Sequence, residues 1–248
     1  MYQFFVDNDQ ISEGEILIFG TDVNHIKNVL RMKSGDLLRI SGKMGGDFYC
    51  RIIELREDRI CTQIQEKADS NELSSKIYLF QGIPKGDRME NVIEKAVELG
   101  VHEIIPVAMK RCVVRLDENK AAAKVKKWQQ LCETSAKQSK RDKIPQIHDV
   151  LGFKEALQYA GMTDLRIFPY EGAKGMEETQ KLLSDIVPGC SISVMIGPEG
   201  GFAPEEVELA AKEMQIISLG KRILRTDTAG ITIMSALMLA LEMAQEKQ

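Results

Sequence analysis

Two loops near the C-terminus hold the residues with the clearest capacity for chemistry. The first, which we call the glycine loop (residues 197–201, GPEGG), follows the apolar run Ile192–Ile196, and this run predicts a buried strand. The second, which we call the basic loop (Lys221–Thr228), follows another short apolar run that ends at Gly220. Glycine allows positive φ angles and a close approach of the backbone to a ligand. Because ligands of open α/β sheets bind where strands end in loops, the sequence predicts a ligand site here.

The glycine loop differs from the common phosphate-binding motifs. It has neither the Lys-Ser/Thr pair of a P-loop nor the GxGxxG spacing of a dinucleotide site. The carboxylate of Glu199 would also repel a phosphate group. By itself, GPEGG is more typical of a tight turn than of a cofactor site. An ordinary nucleotide-binding α/β enzyme is therefore a disfavoured alternative.

From Lys76 onwards, strand-like apolar runs alternate with helical patterns. The run Ile77–Phe80 precedes a helical face that ends at Gly100, and Ile104–Val107 predicts the next strand. A later strand, Leu165–Phe168, ends in residues 169–172 (PYEG). This alternation predicts an α/β fold, with a parallel sheet and helices on both faces. Residues 169–172 would then share one sheet edge with the glycine loop and the basic loop.

Residues 1–70 predict a different, β-rich domain. Short strand-like runs cover residues 15–19, 37–40, 48–55 and 60–64, and Gly42, Gly45 and Gly46 predict a turn between the second and third runs, which is typical of a small barrel. The polar stretch 68–75 (ADSNELSS) predicts a linker, so the predicted domains are 1–70 and 76–248. A barrel that contacts RNA and a barrel that only supports the rest of the molecule are equal alternatives.

Composition limits the classes of partner. The chain has 248 residues, 44% of them hydrophobic, and a formal net charge of −4, so any contact with nucleic acid requires a local basic patch. One such patch is predicted on a helix over Lys120–Lys143, where eight basic residues accompany only two acidic ones. This run is either a solvated helix face or a track for an RNA backbone.

The sequence offers few signs of metal, disulfide or membrane chemistry. The five cysteines form no CxxC pair, and the three histidines are far apart in the sequence. The N-terminus lacks the pattern of a signal peptide, and the longest mainly apolar stretch, Ile231–Leu241, is too short to span a bilayer. We therefore expect a cytoplasmic protein with reduced thiols, no metal site and no membrane segment.

The two loops carry a family resemblance. The motifs IGPEGGF and LGKRILRTDTA, in this order, resemble the RsmE family of 16S ribosomal RNA (uracil-N3)-methyltransferases, which belongs to the SPOUT superfamily. The resemblance extends to residues 85–101 (KGDRMENVIEKAVELGV) and 25–36 (HIKNVLRMKSGD), and to Trp128, Gln138, Arg141 and Pro145. It therefore covers nearly the whole chain. The chain departs from the family's motif at Asp227, because the family usually has Glu at this position.

The resemblance implies a fold, a reaction and partners. The implied fold is a SPOUT-type domain with a trefoil knot, preceded by a small PUA-like β-barrel domain that helps to bind RNA, and the implied assembly is a homodimer. The implied reaction is transfer of a methyl group from S-adenosylmethionine to N3 of a uridine in small-subunit ribosomal RNA. The alternative is a non-enzymatic RNA-binding protein that acts in ribosome assembly, for which a barrel and a basic helix would suffice.

The resemblance also assigns roles to residues of the three loops. The expected cofactor-binding residues are Pro169, Tyr170, Glu171, Ile196, Gly197, Pro198, Glu199, Gly200, Gly201, Leu219, Gly220, Ile223, Leu224, Arg225, Thr228 and Ala229. We expect Arg225 to stabilise negative charge on a uracil oxygen, and Glu199 or Asp227 to accept the N3 proton or to hold Arg225. In the alternative, Arg225 and Asp227 only pair with each other. The expected RNA-binding residues are Arg31, Lys85, Arg88, Lys137, Gln138, Lys140, Arg141 and Arg222.

Overall fold

The computed structural model describes residues 1–43 and 46–246, arranged in two compact units. The first unit comprises Met1–Glu72 and Ala136–Ile144, and the second comprises Leu73–Ser135 and Pro145–Gln248. Residues 136–144, which the sequence division places in the second domain, thus pack with the first unit. Gly45, one of the predicted turn residues, lies outside the described residues. The division into an RNA-binding domain and a catalytic domain stays a prediction.

The first unit is built on a curled six-stranded sheet. Its strands are β1 (Gln3–Val6), β2 (Ile11–Ser12), β3 (Glu15–Phe19), β4 (Leu37–Gly42), β5 (Asp47–Leu55) and β6 (Arg59–Lys67), in the order β1-β4-β5-β6-β3-β2. All neighbours are antiparallel except β1 and β4. The helix α1 (Thr21–Asn24) continues as a π-helix over His25–Val29 and buries Ile26 in the core. The sequence predicted β3 to β6 but missed β1, whose four residues are all buried and do not alternate.

The second unit contains a parallel sheet, as the alternating pattern predicted. Its strands are β7 (Lys76–Gly82), β8 (Val101–Ala108), β9 (Gln146–Ile147), β10 (Leu151–Gly152), β11 (Leu165–Pro169), β12 (Ser191–Ile196) and β13 (Gln215–Ile217). The strand order is β10-β8-β7-β12-β11-β13, and β9 also pairs with β8. The central strand β12 is almost wholly buried, which explains its continuous apolar run.

Among the described residues, six further α-helices cover both faces of this sheet. They are α2 (Arg88–Glu98), α3 (Glu118–Ser139), α4 (Phe153–Ala160), α5 (Glu177–Ser184), α6 (Pro204–Glu213) and α7 (Thr226–Gln245). The apolar face of α2 is buried as predicted, and Gly100 follows the helix with a φ of +86°. Pro204 occupies the first turn of α6, where its fixed φ suits a helix start.

The last helix, α7, is both apolar and partly exposed. Ile233, Met234 and Leu237 are buried and the helix packs against α2, whereas Leu239 and Met243 are exposed. By length and composition alone, α7 could cross a membrane, as could the core helix of a soluble protein. The helix is longer than the apolar stretch noted in the sequence, and the expectation of no membrane segment stays a prediction.

Candidate functional site

The second unit has a cavity of about 430 Å³ at the carboxyl ends of β11, β12 and β13. Its volume lies within the range of small-molecule sites. Of the expected cofactor-binding residues, those that line the cavity are Pro169, Tyr170, Glu171, Ile196, Gly197, Pro198, Glu199, Gly201, Leu219, Gly220, Ile223, Leu224, Arg225 and Ala229. The structure therefore brings the three predicted loops together around one cavity.

Two of the expected residues, Gly200 and Thr228, do not line this cavity. Gly200 instead lies against Arg111: a Cβ at Gly200 would be 3.0 Å from Arg111 Cβ, and Arg111 Nη1 donates a hydrogen bond of 3.0 Å to the Gly200 carbonyl. Thr228 is exposed on α7. A side chain at position 200 would therefore press on Arg111, and the expectation that Gly200 approaches the ligand stays a prediction. Lys85, Arg88 and Arg222, which we expected to contact RNA, line the cavity together with the unexpected Phe202 and Thr226.

Glu199 is held by the N-terminal end of α2. Its Oε1 accepts a hydrogen bond of 3.0 Å from the Lys85 backbone N–H and another from Arg88 Nη1. Burial alone would raise the pKa of Glu199, but hydrogen bonds from backbone amides and from Arg88 outweigh burial and lower that pKa. An ionised, hydrogen-bonded carboxylate is a weak proton acceptor. The geometry thus favours a role for Glu199 in tying the glycine loop to α2, rather than in accepting a proton or holding Arg225.

Arg225 lies immediately before α7 at the wall of the cavity, and its side chain is exposed. Among the residues that the structure describes, the Arg225 and Asp227 side chains form neither a hydrogen bond nor an ion pair with each other. Asp227 Oδ1 is buried and accepts no hydrogen bond from that part of the chain. The alternative in which the two residues only pair with each other does not match this arrangement. The Arg225 guanidinium is therefore available to a substrate.

A glycine that the sequence analysis missed sets the position of the glycine loop. A Cβ at Gly82, the last residue of β7, would lie 2.7 Å from Pro198 N and 3.0 Å from Gly197 C. Only glycine permits this approach of two backbone segments. In the sequence, the signal for this close approach is a glycine near the end of a predicted buried strand.

We expect Gly82→Ala to weaken ligand binding in this cavity by about 5- to 150-fold, the equivalent of about 1–3 kcal/mol of overpacking, because the glycine loop must shift away. Gly230→Ala is the matched control, since a Cβ there would meet only Gln81 Oε1, at 3.4 Å. Calorimetric titration with the cofactor proposed below measures both. Equal affinity in wild type and Gly82→Ala would show that the close approach does not shape the cavity.

Several basic side chains at the end of the predicted basic helix form ion pairs or hydrogen bonds within the first unit. Arg141 is 4% exposed, and its guanidinium donates to the Glu72 carboxylate, with a distance of 2.8 Å from Nε to Oε1. Lys140 Nζ donates to the Met1 carbonyl at 2.7 Å, and Lys137 Nζ lies 3.6 Å from Asp22 Oδ1. The expectation that Arg141 contacts RNA is therefore corrected: its guanidinium is buried in an ion pair. Gln138, in contrast, is exposed.

Comparisons with known proteins agree with this geometry. The family model of an RNA methyltransferase domain matches residues 71–238, and that of an RNA methyltransferase PUA domain matches residues 20–65. Among curated relatives, ribosomal RNA small subunit methyltransferase E of Bacillus subtilis (strain 168) is 34% identical over 256 residues, covering 100% of both chains. The enzyme of the same name from Mesomycoplasma hyopneumoniae (strain 232) is also 34% identical, over 95% of this chain and 98% of the relative.

A solved structure supports the same assignment. The crystal structure of a ribosomal RNA small subunit methyltransferase E from Neisseria gonorrhoeae bound to S-adenosyl methionine matches with a TM-score of 0.81 and 32% identity, covering 96% of this chain and 97% of that one. Fold and site thus define an RNA methyltransferase. The chain belongs to the family of the ribosomal RNA small subunit methyltransferases E. In residues 1–43 and 46–246, no group of three or more His, Cys, Asp or Glu side chains is placed to hold a metal ion, and the expectation of a metal-free site stays a prediction.

Proposed function

We propose that this protein methylates N3 of a specific uridine in the 16S ribosomal RNA of the small subunit, with S-adenosylmethionine as methyl donor. The observation that carries the proposal is the cavity enclosed by three strand-end loops in a chain of this family. The second hypothesis, a non-enzymatic RNA-binding protein, does not account for a cavity of this size with apolar and glycine walls.

The residues present fit S-adenosylmethionine. Ile196, Leu219 and Leu224 offer apolar walls, and the backbone of Gly197, Gly201 and Gly220 lies at the surface of the cavity. The acidic side chains of Glu171 and Glu199 line it beside the basic side chains of Lys85, Arg88, Arg222 and Arg225, so both signs of charge are available to a ligand that carries a sulfonium cation and a carboxylate. When bound, this cofactor supplies a methyl group activated by its attachment to a sulfonium centre.

The protein must make uracil N3 nucleophilic. N3 carries a proton, and as a base takes this proton, negative charge develops on the uracil ring and its oxygens and makes N3 nucleophilic. The exposed guanidinium of Arg225, which has no ion pair with any residue in the described part of the chain, lies at the cavity wall and can stabilise this charge with two parallel N–H donors. Glu199 is already tied to Lys85 and Arg88, so Asp227 is our remaining candidate for the proton acceptor, although the half-buried Asp227 is not among the residues that line the cavity.

Mass spectrometry of 16S ribosomal RNA from a deletion strain tests the reaction. We expect one uridine to lack a methyl group and to regain it when the purified protein and S-adenosylmethionine are added. A protein that binds ribosomal RNA but neither binds the cofactor in calorimetry nor restores a methyl group would instead be an assembly factor.

Arg31 is our strongest candidate for RNA contact in the first unit. It is exposed and has a φ of +53°, a conformation that usually belongs to glycine after a helix end. At the same helix end, the Met32 N–H donates a hydrogen bond of 3.0 Å to the Ile26 carbonyl. A basic residue at this unfavourable position suggests that the guanidinium serves binding.

We therefore expect Arg31→Gly to keep or raise the melting temperature while it weakens RNA binding, because glycine adopts this φ without strain. The slope of log affinity against log salt concentration should fall by about 1, the value for one lost phosphate contact. Arg31→Lys, which keeps the charge, is the control. Unchanged RNA affinity and salt slope in Arg31→Gly would assign the contact elsewhere.

Three finer structural features complete the proposal. We infer a trefoil knot, supported by the path of the chain from edge strand β13 back to the central strands, where Thr226 bonds to Gly197. A PUA-like barrel is supported by the curled sheet of the first unit and the matching family model. A homodimer is supported by the exposed apolar residues Leu239 and Met243 on α7. A crystal structure and sedimentation equilibrium test these features, and cell fractionation tests the proposed cytoplasmic localisation.

A further inference from the structure

A buried chain of hydrogen bonds links β7, the glycine loop and the start of α7. Gln81 Nε2 donates to Thr226 Oγ1 at 2.8 Å and to the Gly82 carbonyl at 3.0 Å. Thr226 Oγ1 donates in turn to the Gly197 carbonyl at 2.6 Å. Gln81 is 0% exposed and Thr226 is 5% exposed, so the bonds of Gln81 are shielded from water and the Thr226–Gly197 bond is partly shielded. Shielding makes each bond stronger and its loss more costly.

The direction of each of these hydrogen bonds follows from which of the two atoms can donate. The Gly197 carbonyl can only accept, so the single hydroxyl proton of Thr226 must point towards it. The Thr226 oxygen must then accept, and only the amide nitrogen of Gln81 can donate to it. The orientation of Gln81 is therefore set by Thr226, and that of Thr226 by the glycine loop.

Stability alone does not explain a glutamine at position 81. Gln81 Oε1 is buried and accepts no hydrogen bond from residues 1–43 or 46–246. A buried amide oxygen without a donor is destabilising, and an apolar side chain of similar shape would avoid this cost. Gln81 is thus unfavourable for the core but suited to holding the Thr226 hydroxyl.

We propose that Thr226, oriented by Gln81, is a positioning residue of the methyltransferase. By fixing the Gly197 carbonyl, its hydroxyl sets the backbone path of the glycine loop, which lines the cavity at Gly197, Pro198 and Glu199. The loop is then held in its cofactor-binding shape before the cofactor arrives, which lowers the entropic cost of binding. This inference rests on the proposed use of S-adenosylmethionine.

Thr226→Val tests the hydroxyl, since valine keeps the shape of the side chain and removes the donor. We expect the dissociation constant for S-adenosylmethionine to rise about tenfold, and Thr226→Ser to restore it. Thr232→Val is the matched control: Thr232 lies on the same helix and donates the same type of bond, 2.7 Å to the Thr228 carbonyl, but is exposed and is not among the residues that line the cavity. Its affinity should equal that of wild type.

A second measurement does not depend on the cofactor. Within the glycine loop, the Gly201 N–H donates to the Pro198 carbonyl at 2.9 Å. We expect hydrogen exchange at Gly201 to be faster in Thr226→Val than in wild type or Thr232→Val, because the loop loses its anchor. In Gln81→Met, hydrogen exchange at Gly201 should also be faster than in wild type, while the melting temperature stays equal to or above that of wild type. A purely structural role of Gln81 would not produce this combination.

The outcomes separate the two proposals. If wild type does not bind S-adenosylmethionine, the proposed function fails, whatever the exchange data show. If wild type binds and Thr226→Val matches it in both affinity and Gly201 exchange, Thr226 is not a positioning residue. If Thr226→Val does not fold, Gln81→Met decides: normal affinity and normal exchange in that variant overturn the inference.

Discussion

Arg225→Lys is expected to retain most of the affinity for S-adenosylmethionine and to lose about 2–4 kcal/mol of transition-state stabilisation, the scale measured for single oxyanion-type donors. Lysine keeps the positive charge but lacks the planar pair of donors that fits two acceptors at once. The Arg225 side chain is exposed at the cavity wall, without an ion pair to any described residue, so the substitution leaves no buried partner behind. The loss should therefore appear in the chemical step.

Single-turnover methylation with saturating RNA and cofactor isolates this step. Lys221→Arg is the matched control, because Lys221 lies in the same loop and is also exposed, but is not among the residues that line the cavity. We expect its rate to remain near that of wild type. A near-normal rate for Arg225→Lys, or a loss that additional cofactor restores, would place Arg225 in binding or in loop structure, and Asp227 would become the next residue to test.

Arg141→Met is expected to lower the free energy of unfolding by about 3–5 kcal/mol, because it leaves the charge of Glu72 without its partner in a largely buried site. The Arg141 side chain is 5% exposed and that of Glu72 is 16% exposed. Burial alone would raise the pKa of Glu72, but the hydrogen bonds and charge of Arg141 outweigh it and lower that pKa. Glu72 therefore stays ionised at neutral pH and depends on Arg141.

Chemical denaturation of the full chain measures this effect. The double variant Glu72→Gln/Arg141→Met should recover much of the lost stability, since neither charge of this ion pair is then left without its partner. Lys143→Met, a change of an exposed cation in the same segment, should have little effect on stability. If Arg141→Met is as stable as wild type but binds RNA more weakly, Arg141 contacts RNA after all.

The low pKa of Glu72 also links stability to pH. A carboxyl group whose folded-state pKa lies below its unfolded value contributes stability above the unfolded pKa, and this contribution is lost as pH falls through the folded value. We expect the stability difference between wild type and the double variant to shrink as pH falls below about 4.3, the ordinary pKa of Glu.

The sequence by itself determined the class of fold and the location of the site. Periodicities of helices and strands are local, so alternating runs from Lys76 onwards were sufficient to predict a parallel sheet, which the structure confirms. Glycine and proline at strand ends are also local signals, and 14 of the 16 expected cofactor-binding residues line one cavity. The family resemblance, which the comparisons confirm, supplied the reaction.

Only the tertiary structure decided which partner each polar side chain has. Glu199 binds Arg88 rather than Arg225, Arg141 binds Glu72 rather than being free for RNA, and Thr226 binds Gly197. These pairs are separated by 111, 69 and 29 residues, respectively. The charge or hydroxyl of a side chain is visible in the sequence, but its partner depends on which distant segments the packed core brings within about 3 Å, and no local pattern records that distance.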